Sequence, residues 1–199
     1  MTNPVISEPN PARAVPKLLS RLFAGSPVAE KVSTRVHLRG RPEAVWNAII
    51  FYEEVPGHAP LPLRWFMPAP VRTVGAKSAI GAKVRCVYKS GHLVKRISVL
   101  DSPHLLRFDV LEQHLGIEGC AVAKGGSYEI YHRGDESDIV LTTRYRAFLH
   151  PRWLWRPLEK LVAHQLHKHV LNGMRAGVDQ REPAAAICHA APQEVADRV

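Results

Sequence analysis

The sequence predicts an α+β domain that consists of several antiparallel strands followed by one long C-terminal helix. Between residues 79 and 149, segments of alternating apolar and polar residues are separated by turn signals rich in Gly, Asp and Ser. This pattern is typical of consecutive strands in a meander. From Pro151 to Met174, apolar residues recur at every fourth position, which indicates an amphipathic helix. At 1.5 Å per residue this helix is about 36 Å long, enough to cross a whole sheet.

A strand and a short helix precede the meander. Residues 31–39 alternate apolar and polar side chains, which predicts a half-buried strand. Pro42 and Glu43 suit the first turn of a helix, and the apolar residues of 45–50 share one face of it. Residues 53–75 hold five prolines among large apolar side chains. We therefore expect an irregular, packed loop there that covers the domain or acts as a lid.

The domain is expected to span residues 31–177, between flexible tails at residues 1–30 and 178–199. Both tails are rich in Pro and Ala, and Gly177 is a typical helix stop. Within the first tail, Lys17–Phe23 is weakly amphipathic. Three alternatives stay open for this piece: a peripheral membrane contact, packing on the domain, or a loose tail.

The composition argues against several classes of protein. The formal net charge is +9 in 199 residues, but the basic residues are scattered without a run of five or more, so we expect no nucleic-acid partner. The three cysteines are widely spaced and form no CxxC motif, which argues against a disulfide scaffold and fits a cytoplasmic protein. No apolar stretch approaches the ~18 residues of a transmembrane segment, and no secretory signal is readable.

No motif for a metal or a cofactor is readable. The sequence has no GxGxxG, P-loop or HExxH pattern. His164 and His167 lie three residues apart on one helix face, but a zinc site needs three or four ligands and no further partner is readable. We therefore expect neither a metal nor a cofactor, and the sequence does not indicate an oligomeric state.

Three local segments carry a resemblance to a known superfamily. STRVHLRGRPEAVWNAI (residues 33–49) is similar to its opening strand and helix, GAKVRCVY (81–88) to its Gly-led hairpin, and GGSYEIYHRGDESDIVLTTRYRAFL (125–149) to its final hairpin. Over roughly residues 32–176 the chain resembles the START-like superfamily, also called SRPBCC, which includes polyketide cyclase/dehydrase-type and lipid-transfer proteins. The resemblance implies a helix-grip fold, in which a curved sheet of about six or seven strands wraps around the C-terminal helix.

The resemblance also implies a cavity between sheet and helix that holds a hydrophobic or amphipathic small molecule, such as a lipid or a polyketide. A curved sheet and one helix rarely fill the space between them, and apolar pockets of this kind bind small molecules. Trp65, on the Pro-rich loop, is expected to close the pocket mouth. Strand and helix periodicity assigns the other ligand-binding candidates to the cavity face: Val84, Cys86, Phe108, Val110, His114, Tyr128, Leu141, Tyr145, Val162 and Leu166.

Three functions stay open. The first is a binding module for such a ligand. The second is an enzyme of the cyclase/dehydratase type with Glu112 and Tyr88 as catalytic candidates, because strand parity places both on the cavity face, where a proton donor and acceptor are needed. The third is an interaction protein whose cavity is vestigial and whose basic surface meets a partner. Arg96 and Arg107 would face a ligand carboxylate only if the parity slips by one residue.

Overall fold

The computed structural model describes residues 11–50, 70–75, 77–89, 91–134 and 136–188. The predicted α+β class is confirmed, with one helix and one strand in addition to the predicted elements. The described residues form three helices and seven strands, in this order: α1 (Pro11–Phe23), β1 (Ala24–Arg39), α2 (Pro42–Ile50), β2 (Pro70–Val74), β3 (Lys83–Tyr88), β4 (Gly91–Asp101), β5 (Leu105–His114), β6 (Ala121–Arg133), β7 (Glu136–Leu149) and α3 (Arg152–Cys188).

The seven strands form one open, curved antiparallel sheet in the order β1-β7-β6-β5-β4-β3-β2. From β2 to β7 each strand pairs with the next one in sequence, and β1 pairs with β7. Alternation of residue type decides which face is buried. On β7, Ile139, Leu141 and Ala147 are buried, while Arg144 and Arg146 are exposed. The buried face turns toward α2 and α3, whose apolar residues complete the main core.

α1 and the first part of β1 lie where the sequence analysis predicts a tail. Pro16 is buried, and its carbonyl oxygen accepts a hydrogen bond from Cys120 Sγ at 3.2 Å. The ring centroids of Phe23 and Trp155 are 5.0 Å apart. Of the three alternatives for Lys17–Phe23, the structure shows packing on the domain. The partners come from distant parts of the chain, so local periodicity does not reveal them.

β2 is a strand inside the Pro-rich stretch that is predicted to be irregular. It pairs with β3 at the edge of the sheet, and Pro70 is its first residue. Proline is tolerated at that position because the first residue of an edge strand can leave its nitrogen without a ladder hydrogen bond. Residues 53–69 of the same stretch, which include Trp65, lie outside the described residues.

α3 extends beyond the predicted end at Gly177, to Cys188. Its predicted apolar stripe does not face the sheet along the whole helix. Residues four apart on a helix are rotated by about 40° relative to one another, so a stripe from Leu154 to Met174 drifts by about 200°. Leu154 is accordingly 39% exposed and Met174 only 2%. The first half of α3 therefore presents part of its apolar surface to solvent.

A buried histidine ties the middle of α3 to the sheet. His167 is 2% exposed, its Nδ1 lies 2.8 Å from Thr34 Oγ1 on β1, and its Nε2 lies 2.8 Å from Thr143 Oγ1 on β7. His164 Nδ1 lies 2.7 Å from the same Thr34 hydroxyl. A neutral imidazole has one donor and one acceptor, and a hydroxyl can act as either. Both ring nitrogens of His167 are therefore satisfied in either tautomer.

A group of ion pairs attaches the start of α3 to β1. Arg152 Nη2 lies 2.7 Å from Glu159 Oε2 and 3.1 Å from Glu30 Oε1. Arg156 Nε lies 3.2 Å from Glu30 Oε1 as well. The side chain of Glu30 is only 8% exposed, so its charge needs these partners. Because Glu30 belongs to β1, the ion pairs set where α3 begins relative to the edge of the sheet.

Replacing His167 by Gln is expected to change how stability depends on pH. Burial lowers the pKa of His167 from 6.5 to about 4 in the folded protein, with His164 and Lys95 as further causes. The unfolded chain therefore binds the proton first as the pH falls. The free energy of unfolding of the wild type should drop by about 2 kcal/mol between about pH 7.5 and about pH 5. Urea unfolding at a series of pH values measures this slope.

The His167→Gln variant should lose most of that slope, because glutamine does not titrate. His104→Gln is the matched control, since His104 is exposed and its replacement should leave the slope in place. An unchanged slope in His167→Gln would contradict a neutral, buried imidazole between the two threonines.

Candidate functional site

A cavity of about 320 Å³ separates α3 from the inner face of the sheet. Its sheet wall comes from β2 to β7, and its helix wall comes from the part of α3 between Trp155 and Met174, with Pro16 and Leu19 of α1 and Ile49 of α2 at its border. Most of the lining atoms belong to apolar groups. Small-molecule pockets typically measure about 300 to 1,000 Å³ and have mostly apolar walls with a few polar groups. The cavity has the size and character of such a pocket.

The cavity lies where two packed clusters of the core meet. In the first cluster, Trp46 and Ile49 of α2 are buried together with Leu171 of α3. In the second, Leu93 of β4 and Leu115 are buried near the other end of the sheet. Residues of both clusters line the cavity. The cavity is therefore the open space between these two buried clusters, beside α3.

Most of the residues predicted to face the ligand line this cavity. Their contribution to binding stays a prediction, because a position in the wall does not by itself show a role. Trp65 lies outside the described residues. The predicted residues that line the cavity are Val84, Cys86, Tyr88, Phe108, Val110, Tyr128, Leu141, Tyr145, Val162 and Leu166.

Glu112 and His114 lie on the outer face of the sheet, so the parity prediction is wrong for their placement. The β4–β5 ladder has a bulge at Leu111, which has no partner, while Val110 and Glu112 on either side of it are paired. The extra residue shifts the alternation by one. As a result Gln113, and not Glu112, faces the cavity. The Glu112 side chain is 58% exposed and does not reach the interior.

The outward turn places Glu112 beside two histidines. His92 of β4 is the cross-strand partner of His114, and their ring centroids are 4.9 Å apart. His92 Nε2 lies 3.9 Å from Glu112 Oε2. Among the described residues, these three form the group whose donor atoms could hold a metal ion, since all lie within 4.8 Å of one another. The group is on the opposite face of the sheet from the cavity.

Lys95 is a charged residue of the cavity wall that the sequence analysis does not predict there. It follows Leu93 and precedes Ile97 at two-residue spacing, and both of these are buried. The alternation along β4 could therefore have predicted that Lys95 faces the cavity. Its Nζ lies 4.3 Å from the centroid of the Phe108 ring, a cation–π contact. Arg96, which the sequence analysis considers as a ligand contact, is exposed and pairs with Asp109 at 3.8 Å.

Lys95 and two tyrosines make one polar spot in the wall. Burial raises the pKa of Tyr88 and of Tyr128, so both remain hydroxyl donors at neutral pH. Burial lowers the pKa of Lys95, while Cys86, Tyr128 and Tyr88 raise it as they lose their protons, and the net shift is upward. At neutral pH the lysine is an ammonium ion, because its ordinary pKa of 10.5 already lies far above 7. An ammonium and two hydroxyls are hydrogen-bond donors that the wall offers to oxygen-bearing groups of a ligand.

Gln113 closes a gap in the sheet beside this spot. The described pairing of β5 with β6 ends at Asp109 and Gly125. Beyond it, Gln113 Oε1 accepts a hydrogen bond from the Ala123 N–H at 2.8 Å, and Gln113 Nε2 donates to the Ala121 carbonyl at 2.9 Å. The side chain thus replaces the backbone of β5 as the partner of β6. Sequence reasoning misses this role because it depends on the bulge at Leu111.

The structure is similar to several solved structures of low sequence identity. For the Zhui aromatase/cyclase from Streptomyces sp. R1128 the TM-score is 0.56 with 17% identity, over 79% of this chain and 98% of that chain. For a START superfamily protein from Mycobacterium smegmatis the values are 0.55 and 14%, over 76% and 98%. For a point mutant of norcoclaurine synthase from Thalictrum flavum in complex with a transition-state analogue they are 0.54 and 13%, over 79% and 99%.

These likenesses confirm the START-like, helix-grip fold that the sequence predicts. At such low identity they show the fold alone. No protein-family model matches the sequence, and no curated protein matches it.

Replacing Gln113 by Leu is expected to destabilise the protein by about 1 to 3 kcal/mol, because a backbone N–H and a carbonyl of β6 lose their partner. Glu112→Leu is the matched control. Leucine one residue earlier, on the exposed face, should alter the free energy of unfolding by no more than about 0.5 kcal/mol. Urea unfolding of both variants measures the difference. Equal effects would contradict the inward position of Gln113.

Proposed function

We propose that the protein binds a hydrophobic or amphipathic small molecule, such as a lipid or a polyketide, in the cavity between the sheet and α3. The observation that carries this proposal is the cavity of about 320 Å³, with mostly apolar walls and a few polar groups. An unfilled apolar space lowers stability because its walls lack contact partners. A ligand that fills the space restores those contacts, so binding is favoured.

The structural neighbours support a ligand-binding role. One of them is described as an aromatase/cyclase and another as a norcoclaurine synthase in complex with a transition-state analogue. Their folds match this one across most of their own length. A fold that leaves a cavity between sheet and helix can serve many ligands, so the wall residues, and not the fold, decide which molecule this chain takes.

An enzyme of the cyclase/dehydratase type is the second candidate. The observation that favours it is the group formed by Lys95, Tyr88 and Tyr128, whose donors suit stabilisation of a developing oxyanion. A general base is less evident. Among the described residues of the wall the carboxylate is Glu159, which is paired with Arg152 at 2.7 Å. Both nitrogens of His167 are bonded to threonine. Binding is therefore the better-supported function.

We further propose that the protein acts in the cytoplasm, which agrees with the free thiols of Cys86 and Cys120. No helix among the described residues combines the length and the hydropathy needed to cross a bilayer. Peripheral contact of α1 with a membrane stays compatible with its packing, because Leu18 and Leu22 are 58% and 66% exposed.

Native mass spectrometry of the protein purified from its own host is expected to show the chain with an additional small mass. Denaturing conditions should release that mass, because the cavity exists only in the folded chain. The intact and denatured spectra of one preparation provide the comparison. A spectrum with only the bare chain, under conditions that keep weak complexes of a known carrier intact, would count against the proposal.

Replacing Leu166 by Trp is expected to block the cavity, because the larger ring occupies the space beside α3. Binding of N-phenyl-1-naphthylamine, an uncharged fluorescent probe, should weaken by about tenfold or more. Lys168→Trp is the control, since Lys168 is exposed on the same helix and its replacement leaves the cavity unchanged. Equal probe affinity in both folded variants would show that the probe binds elsewhere.

A further inference from the structure

Lys95 brings a positive charge to the interior of an apolar cavity. The residue is half-buried on β4 between the buried Leu93 and Ile97, and it lines the cavity. Moving an ammonium ion from water into apolar surroundings is unfavourable unless the charge is paired and hydrogen-bonded. A charge in this place therefore needs a partner.

The described neighbours compensate the charge only in part. The Phe108 ring lies 4.3 Å from Nζ, and Cys86 interacts favourably with the ammonium. Glu159, the carboxylate among the described wall residues, is engaged by Arg152. The ion pairs among the described residues do not include Lys95, so within this part of the chain its charge has no anionic partner.

Two hydroxyl groups extend the same site. Tyr88 of β3 and Tyr128 of β6 line the cavity on the strands to either side of β4 and β5, and both interact electrostatically with Lys95. Phenol hydroxyls and an ammonium are all hydrogen-bond donors. A group with several acceptor oxygens and a negative charge is the chemical complement of such a set.

We propose that the ligand of this cavity carries one acidic group, a carboxylate or a similar singly charged oxyanion, which pairs with Lys95. This inference rests on the proposed function and specifies its ligand class. Tyr88 and Tyr128 donate further hydrogen bonds to the acid, and the apolar walls take the rest of the molecule. A neutral ligand of the same shape leaves the ammonium without a counter-charge, so it binds more weakly.

The test compares an acid with its neutral ester on the same protein. Dodecanoate and methyl dodecanoate share one chain and differ in charge, and each is titrated against bound N-phenyl-1-naphthylamine. Charge-assisted hydrogen bonds are strong enough that the wild type should bind dodecanoate about tenfold or more tightly than the ester.

The variant that isolates the interaction is Lys95→Met, which keeps an unbranched side chain only one atom shorter and removes its charge. It should lose the preference for dodecanoate and retain or improve binding of the ester. Lys83→Met is the matched control, because Lys83 is exposed on β3 and its replacement changes the net charge equally. This control should keep the wild-type preference.

The outcomes separate the two proposals. If the wild type binds the probe and the ester but shows no preference for the acid, the acidic ligand is refuted and the hydrophobic cavity stands. A preference that persists in folded Lys95→Met also refutes it. If neither the probe nor either dodecanoyl compound binds, the proposed function itself fails. Because the wild-type comparison needs no substitution, the test remains decisive even if Lys95→Met does not fold.

Discussion

The arrangement of the molecule depends on how α3 is held across the sheet. Polar bonds attach it at two places, near its start through Arg152 and Glu30 and in its middle through His167 with Thr34 and Thr143. Hydrogen bonds have narrow distance ranges, so these bonds keep the helix at a set distance. Apolar contacts alone would favour closer packing. The cavity is the space that the polar bonds leave between the helix and the sheet.

The sheet side of the cavity is shaped by departures from regular pairing. A Cβ at Gly126 would lie 2.8 Å from the Phe108 ring, so a residue without a side chain is needed for the ring to lie against β6. The same ring contacts the Lys95 ammonium. At the bulge, Leu111 is left unpaired and Gln113 turns inward to bond β6. The inward position of Gln113 is therefore a product of local irregularity, whereas Lys95, Tyr88 and Tyr128 face the cavity through regular strand alternation.

Among the described residues, the wall offers hydrogen-bond donors to a ligand but no free base, and this difference bears on function. Lys95, Tyr88 and Tyr128 are donors at neutral pH, because the pKa of each is raised. In the described part of the wall, the carboxylate and the imidazole that could accept a proton are engaged elsewhere: Glu159 by Arg152, and His167 by two threonines. Donors without a free base suit the binding of an anion or a carbonyl oxygen better than proton abstraction. The wall thus supports recognition of a ligand more directly than its conversion.

The fold class, most strands and the face to which Phe108 or Leu141 belongs follow from the sequence alone, because alternation and helical spacing depend only on neighbouring residues. The ten predicted residues that line the cavity could be found for the same reason. Three features depend on contacts between distant segments and could not: the packing of α1, the phase shift at Leu111 and the partners of His167. Strand parity holds only until a bulge interrupts it, so Glu112 changes face although its local pattern is regular. The sequence by itself determined the elements and their buried faces; tertiary pairing decided which polar groups meet inside the cavity.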